Sequence, residues 1–272
     1  MTTLLERGRR GERLDDLDIV DIHGHLGRSP FGVPELSPAS LVATMDRLGV
    51  ATSVCSHTHC MYAGWSDANG EVLDAIRAFP GRIAGYLVLW PSSADDVKRE
   101  AERYLDAGFM GVKLHNATGF RYTDLAYGPA LAAADERRMP VLLHTWARDD
   151  EFEDVERLAT AYPHASFILA HSGVSGSIDA YGRLARDWAN VHLDLCMSLT
   201  PPGHVDRLVA AAGVDKVLWG SDAIFLNMTQ QLGKVLGARL DDDDKRRLLS
   251  ANARRLLGRV RHDAAAKESA DG

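Results

Sequence analysis

A single-domain (β/α)8 TIM barrel with an extra C-terminal helix is the fold that this sequence predicts, on three observations. Eight short apolar, β-branched runs alternate with helix-like segments across short gaps. Strands buried on both faces read as continuous apolar runs, the pattern of a parallel sheet. The chain has 272 residues, against the roughly 250 that such a barrel needs as one domain. Finally, four of the runs end in His25, His144, His171 and Asp222, and the C-terminal ends of barrel strands are where such folds place their chemistry.

The elements follow in order. The first run begins at Ile19 and closes on Asp21-Ile22-His23-Gly24-His25. Ser37-Pro38 supply an N-cap and an N1 proline for a helix over residues 39–48, which stops at Gly49. Residues 50–56 form the second strand, ending at His57-Thr58-His59, and a helix near 69–79 closes at Pro80-Gly81. The third strand covers 83–90, and Ser92-Ser93 cap a helix over 94–107 that ends at Gly108. The later strands are 109–115, 141–145, 166–171, 191–196 and 216–221, and the helices between them are 129–138, 149–162, 178–188 and 203–212. The carboxylates Asp241 to Asp244 suit the first turn of a last helix, 242–260, because they offset its dipole; this reading is preferred to a calcium site. Residues 1–17 form an N-terminal extension, 18–260 the barrel, and 261–272, small and polar, a flexible tail.

Composition narrows the function. Hydrophobic residues make up 46% and charged residues 25%, as in an ordinary globular protein. The formal net charge of -7, with no basic tract, argues against nucleic acid or an anionic membrane as partner. The N-terminal extension holds Arg7, Arg9, Asp15 and Asp16 and lacks the apolar core of a signal peptide. No apolar stretch approaches the ~20 residues of a membrane span, so a cytoplasmic location is expected. Cys55, Cys60 and Cys196 are odd in number and lack metal-finger spacing, which argues against a disulfide framework; Cys55 and Cys196 read as small core residues.

The chemistry starts at the first strand. Residues i and i+2 of an extended strand face the same way, so His23 and His25 offer two imidazoles to one ion. Gly24 between them leaves room for close packing. His144, His171 and Asp222 close strands five, six and eight, and each is a residue type that binds zinc. Any one of them alone reads as an ordinary hydrogen-bonded residue. Chance accounts poorly for histidines at three strand ends facing one mouth with an aspartate at the last.

These residues lie in motifs that resemble the amidohydrolase superfamily, and within it the amidohydrolase-related group of hydrolases and non-oxidative aromatic decarboxylases. The motifs are Asp21-Ile-His-Gly-His25, Gly111-Val-Lys-Leu-His115, Leu143-His-Thr145, Ala170-His-Ser-Gly173, Trp219-Gly-Ser-Asp222 and Asn252-Ala-Arg-Arg-Leu-Leu-Gly258. They run in family order over nearly the whole chain. The resemblance implies that His23, His25, His144 and Asp222 match metal ligands, with Zn²⁺ the expected metal. It implies that His171 matches the acid/base or electrophilic histidine. Three neutral imidazoles and one carboxylate leave a place for water, whose pKa then falls toward ~7. Asp222 would take that water's proton, and His171 would polarise the substrate oxygen.

Lys113 and His115 share a strand face, and Lys-x-His also resembles the segment of urease and similar binuclear members. There Lys113 would be carbamylated and bridge two metals, with His144 and His171 on the second. In members resembling the mononuclear group the same lysine would bind a substrate carboxylate. One metal is the expectation, from the group that the other motifs resemble. His115 beside Lys113, His57 at the end of strand two, and Tyr62, Trp146 and Arg148, on loops above the mouth, are candidates to shape the substrate site.

The expected function is a metal-dependent hydrolase that uses an activated water on a C–N or C–O bond of a small amide, lactone or ester. The alternative is a metal-dependent decarboxylase of a small aromatic or unsaturated acid. Such decarboxylases resemble longer chains with extra segments after strand one and around strand eight, where this chain has compact loops. A non-catalytic barrel ranks last, since every ligand position is filled. The partner expected is a small molecule, and a homo-oligomer stays open.

Overall fold

The computed structural model describes residues 2–28, 37–64, 66–197, 200–223 and 225–262. Eight strands, β1 (Ile19–Leu26), β2 (Val50–His57), β3 (Ile83–Val88), β4 (Gly111–Leu114), β5 (Pro140–Leu143), β6 (Ser166–Leu169), β7 (Val191–Asp194) and β8 (Val217–Leu218), pair in sequence order. Every pairing is parallel. The ends of the sheet meet through backbone bonds from Ile22 N–H to the Trp219 carbonyl at 3.1 Å and from Asp222 N–H to the His23 carbonyl at 2.7 Å. A bridge between Gly24 and Ala223 adds to these. The sheet is therefore a nearly closed (β/α)8 barrel, as the alternation of apolar runs predicts.

Around it, in chain order, lie α1 (Leu4–Arg9), α2 (Pro38–Leu48), α3 (Thr58–Ala63), α4 (Asn69–Ala78), α5 (Ala94–Asp106), α6 (Gly128–Glu136), α7 (Asp149–Ala161), α8 (Ile178–Asp187), α9 (His204–Ala212), α10 (Met228–Leu236), α11 (Asp242–Arg246) and α12 (Asn252–Leu257). The expected caps are in place: the Ser37 side chain accepts from Ser40 N–H, Ser93 from Asp96 N–H and Asp241 from Asp244 N–H. The acidic run at Asp241 thus serves a helix N-terminus. The expected last helix is broken into α11 and α12 by a π-helical turn at Arg247–Ala251. The expected tail falls almost wholly outside the described residues.

Three helices have no counterpart in the sequence reading: α1, α3 and α10. The first two have six residues each and α10 has nine, with Gly233 inside it. Segments this short are marginal alone and form because they dock. In α10, Met228, Leu232, Val235 and Leu236 are buried, and α1 packs against it.

The barrel has a distinct inner core. Ile22, Val54, Tyr86, Leu142, Ile168 and Leu218 pack together with Leu256 and Leu257 of α12, which plugs the N-terminal end. Asn252 Nδ2 secures the plug by donating to the carbonyls of Val214 and Val217 at 2.8 and 2.9 Å. β1 and β2 run one residue past their expected ends, whereas β3 to β8 end short of theirs; His23, His25 and Lys113 lie within the last residues of β1 and β4, and His115, His144, His171 and Asp222 lie just past the ends of their strands. Among the described residues, no helix is long and apolar enough to cross a membrane.

Candidate active site

A β-bulge in β1 aims the two histidines. The register with β2 shifts between Asp21 and Gly24, where three steps on β1 match two on β2. The extra residue lets Ile22 join the inner core while His23 and His25 also point inward above it. Gly24 faces the other way. A Cβ there would collide with Ser53 Oγ and Cys55 Sγ, so glycine is required for the close approach of β1 to β2.

His23 and His25 meet Asp222 across the mouth. His25 Nε2 lies 2.9 Å from Asp222 Oδ1 and His23 Nε2 lies 3.6 Å from the same oxygen. All three residues are buried, and their donor atoms fall within 4.8 Å of one another. Two imidazoles and one carboxylate suit a divalent ion such as zinc or manganese. The outer partners are those that such ligands need. His23 Nδ1 is 2.8 Å from Asp194 Oδ2, and His25 Nδ1 is 3.0 Å from Ser56 Oγ, so an ion that replaced the proton between His25 and Asp222 would meet a bare Nε2 on both rings.

His144 stands one step away. Its Nδ1 is 3.3 Å from His171 Nε2, and its ring lies 4.0 Å from that of His115 between centroids. Among the described residues, no trio of metal-binding atoms within the 4.8 Å span includes His144. The structure thus brings together three of the four expected ligands and sets the fourth beside them through His171. Lys113, fully buried, places Nζ 3.3 Å from His23 Nε2.

Two residues of the site use backbone that favours glycine. His171 and Asp222 have φ of 58° and 52°, the left-handed region that costs a non-glycine residue about 1 kcal/mol. Each follows the end of its ladder, and the left-handed turn swings its side chain over the barrel mouth. His171 Nδ1 donates to the Cys196 carbonyl at 2.7 Å, which leaves Nε2 toward the cavity.

Burial controls the charges. Desolvation pushes His23, His144 and His171 below the usual histidine range and takes His115 down to about 2. Burial lowers Lys113 to about 8, with Asp222, Cys196 and Asp194 opposing the shift. Burial alone would raise Asp222, but the His25 hydrogen bond and the Lys113 charge help hold it below the usual carboxylate range. At neutral pH Asp222 is ionised and the buried rings of His23, His115, His144 and His171 are neutral.

Above this floor lies a cavity of about 450 Å³. Lys113, His25, His115, His144, His171 and Asp222 line it, and each is under 10% exposed. Its outer wall is apolar and aromatic, made by Tyr62 of α3, Trp146, Met197, Phe225 and Leu226. Trp146 stacks on His171 at 5.4 Å between centroids and 18° between planes. It is held by Glu151, buried on α7, which accepts from Trp146 N–H at 2.7 Å and from Asn116 Nδ2 at 3.0 Å.

Other expectations come out differently. His57 lies outside the cavity: its Nε2 turns to Glu71 at 3.1 Å and its Nδ1 accepts from His59 N–H, capping α3. Arg148 points to Asp150 and is not part of the cavity wall. Sequence reasoning missed Asp194, Glu151, Phe225 and the site role of Cys196, whose Sγ lies 2.9 Å from His23 Nδ1. Asp194 stands two residues before Cys196 on the inward face of β7, a period-2 signal that could have singled it out.

A barrel with a buried histidine and aspartate cluster at the C-terminal ends of its strands has the architecture of a metal-dependent enzyme. The chain belongs to the amidohydrolase family, whose model matches residues 20–259. No curated protein matches it. Among solved structures, it is similar to a 2,6-dihydroxybenzoate decarboxylase in complex with 2,6-dihydroxybenzoate, at 17% identity and TM-score 0.73, over 88% of this chain and 99% of the other. It is similar to a dihydroxybenzoic acid decarboxylase from Polaromonas sp. JS666 with bound manganese and 2-nitroresorcinol, at 17% identity and TM-score 0.74, over 88% and 96%. A 5-carboxyvanillate decarboxylase from Novosphingobium aromaticivorans, with manganese and a nitrobenzoic acid, gives 14% identity and TM-score 0.73 over 91% and 98%. At these identities the likeness is one of fold.

Proposed function

We propose that this chain catalyses the metal-dependent, non-oxidative decarboxylation of a small aromatic acid. The observation that carries the reading is the polarity gradient of the cavity, which runs from a floor of Lys113, neutral imidazoles and ionised Asp222 to an outer wall of Trp146, Tyr62 and Phe225. An aromatic ring fits between those side chains with its acidic substituents pointing down. Decarboxylases of aromatic acids with this fold, two of them holding manganese, support it. The order of preference drawn from the sequence is therefore reversed. Compact loops do not deprive the chain of an aromatic pocket, because α3 and the turn at Phe225 build the wall that insertions were expected to supply.

His23, His25 and Asp222 would hold the metal, with His144 the candidate fourth ligand. When bound, it supplies positive charge that orients the acid and steadies charge developing on the ring. Asp222, ionised in the free protein, takes a proton from a ring hydroxyl as the substrate binds. The bond between ring and carboxyl carbon then breaks, its electron pair stays with the ring carbon, and that carbon takes the proton from Asp222 as CO₂ leaves. Lys113 neutralises one anionic oxygen of the substrate. The aromatic wall keeps bulk water out and favours loss of a charged carboxylate as neutral CO₂.

The reaction is tested with hydroxylated benzoic acids beside amides, lactones and esters, all in ¹⁸O-labelled water. CO₂ release from an aromatic acid, with no label in its ring product, is expected. Label entering an amide, lactone or ester product, without CO₂ from any acid, would replace this reading by the hydrolytic one.

Lys113→Met separates one metal from two. Loss of a charged contact to the substrate is expected to raise KM for the acid roughly tenfold or more, with bound metal per chain unchanged. A fall from two metals to one in elemental analysis would instead identify Lys113 as a carbamylated bridge.

A further inference from the structure

The backbone leaving β7 is clamped from outside the barrel. Lys234 Nζ, on α10, donates to the carbonyls of Leu195 at 2.7 Å and Met197 at 2.5 Å. Gln231, one turn earlier and fully buried, accepts from Met197 N–H through Oε1 at 3.2 Å. Successive carbonyls of extended chain point to opposite sides, so fixing those of residues 195 and 197 toward α10 turns the carbonyl of Cys196 back into the barrel. There it accepts from His171 Nδ1 at 2.7 Å. The other backbone group of Cys196 is held as well, its N–H donating to Asp194 Oδ1 at 3.0 Å.

A cation is a costly choice for this place. Lys234 is half-buried, and an apolar side chain would pack under the loop without the desolvation cost of an ammonium. What only a long cationic donor does is bridge two carbonyls two residues apart. We propose that Lys234 and Gln231 are positioning residues of the active site: by holding the Leu195 to Met197 backbone they aim the Cys196 carbonyl at His171 and fix that ring as its Nδ1–H tautomer, with the Nε2 lone pair facing the cavity. The neutral ring has two tautomers, and the hydrogen bond at one nitrogen decides what the other can do. His171 would thus be set for its task by two side chains on α10 that do not touch the substrate.

The test reads the tautomer directly. In zinc-loaded full-length protein with ¹⁵N-labelled histidine, proton–nitrogen correlation spectra, assigned with a His171→Gln variant, are expected to show His171 as the Nδ1–H form. Lys234→Met should move a substantial fraction to the Nε2–H form, with zinc per chain and circular dichroism unchanged, and Lys234→Arg should restore the wild-type pattern. Lys234→Gln, polar but too short to span both carbonyls, gives the same readout if the Met variant does not fold. A wild-type tautomer pattern in folded Lys234→Met or Lys234→Gln would overturn the proposal. This readout involves no substrate, so failure of the decarboxylation reading would leave its outcome unaffected.

Discussion

Asp222→Asn is expected to cut turnover by about 10³-fold, within the range that a positioned acid/base group contributes, while the barrel stays folded. Among the described residues the carboxylate is the one acid on the cavity floor, held ionised chiefly by the His25 hydrogen bond against the pull of burial. An amide has nearly the same shape but does not carry the proton. The fold should survive because asparagine tolerates the left-handed backbone at this position, where φ is 52°. The measurement is kcat on the acid found in the substrate panel, beside circular dichroism and metal content. Turnover within tenfold of wild type, in a folded and metal-loaded variant, would remove Asp222 as the proton carrier.

Asp21→Ala should give the largest loss of stability, about 4 kcal/mol, which for a chain of this size lowers Tm by roughly 10 °C. Asp21 is fully buried and accepts four hydrogen bonds: from Ser53 Oγ and Ser221 Oγ at 2.7 Å each, from Ser221 N–H at 2.8 Å and from His23 N–H at 3.2 Å. It therefore ties β1 to β2 and to the end of β8, at the seam where the barrel closes. Alanine would strand two hydroxyls and two N–H groups away from water. Asp21→Asn keeps one acceptor and should lose less than half as much. Denaturant melts decide the matter, and a loss below about 1 kcal/mol for the alanine variant would show that the seam holds without this carboxylate.

Much of this protein is legible in its sequence because the relevant patterns are local. Alternating apolar runs and caps such as Ser37 and Ser93 describe each element from neighbouring residues, and the element order then leaves a parallel barrel as the economical arrangement. The period of two placed His23 and His25 on one face, and strand ends picked out His144, His171 and Asp222. Only the tertiary structure decided how these meet. His23 finds Asp194 at a separation of 171 residues and His25 finds Asp222 at 197, contacts that exist only once the barrel closes. The left-handed backbone at His171 and Asp222, the bulge in β1, and the turning of His57 toward Glu71 rather than the mouth were likewise invisible in a strand-by-strand reading. Their energies come from partners distant in sequence, and so does the docking that makes short α3 and α10 helical. The aromatic wall, on which the proposed change from hydrolysis to decarboxylation rests, is shared: the sequence singled out Tyr62 and Trp146, and only the closed barrel brought Phe225 to them.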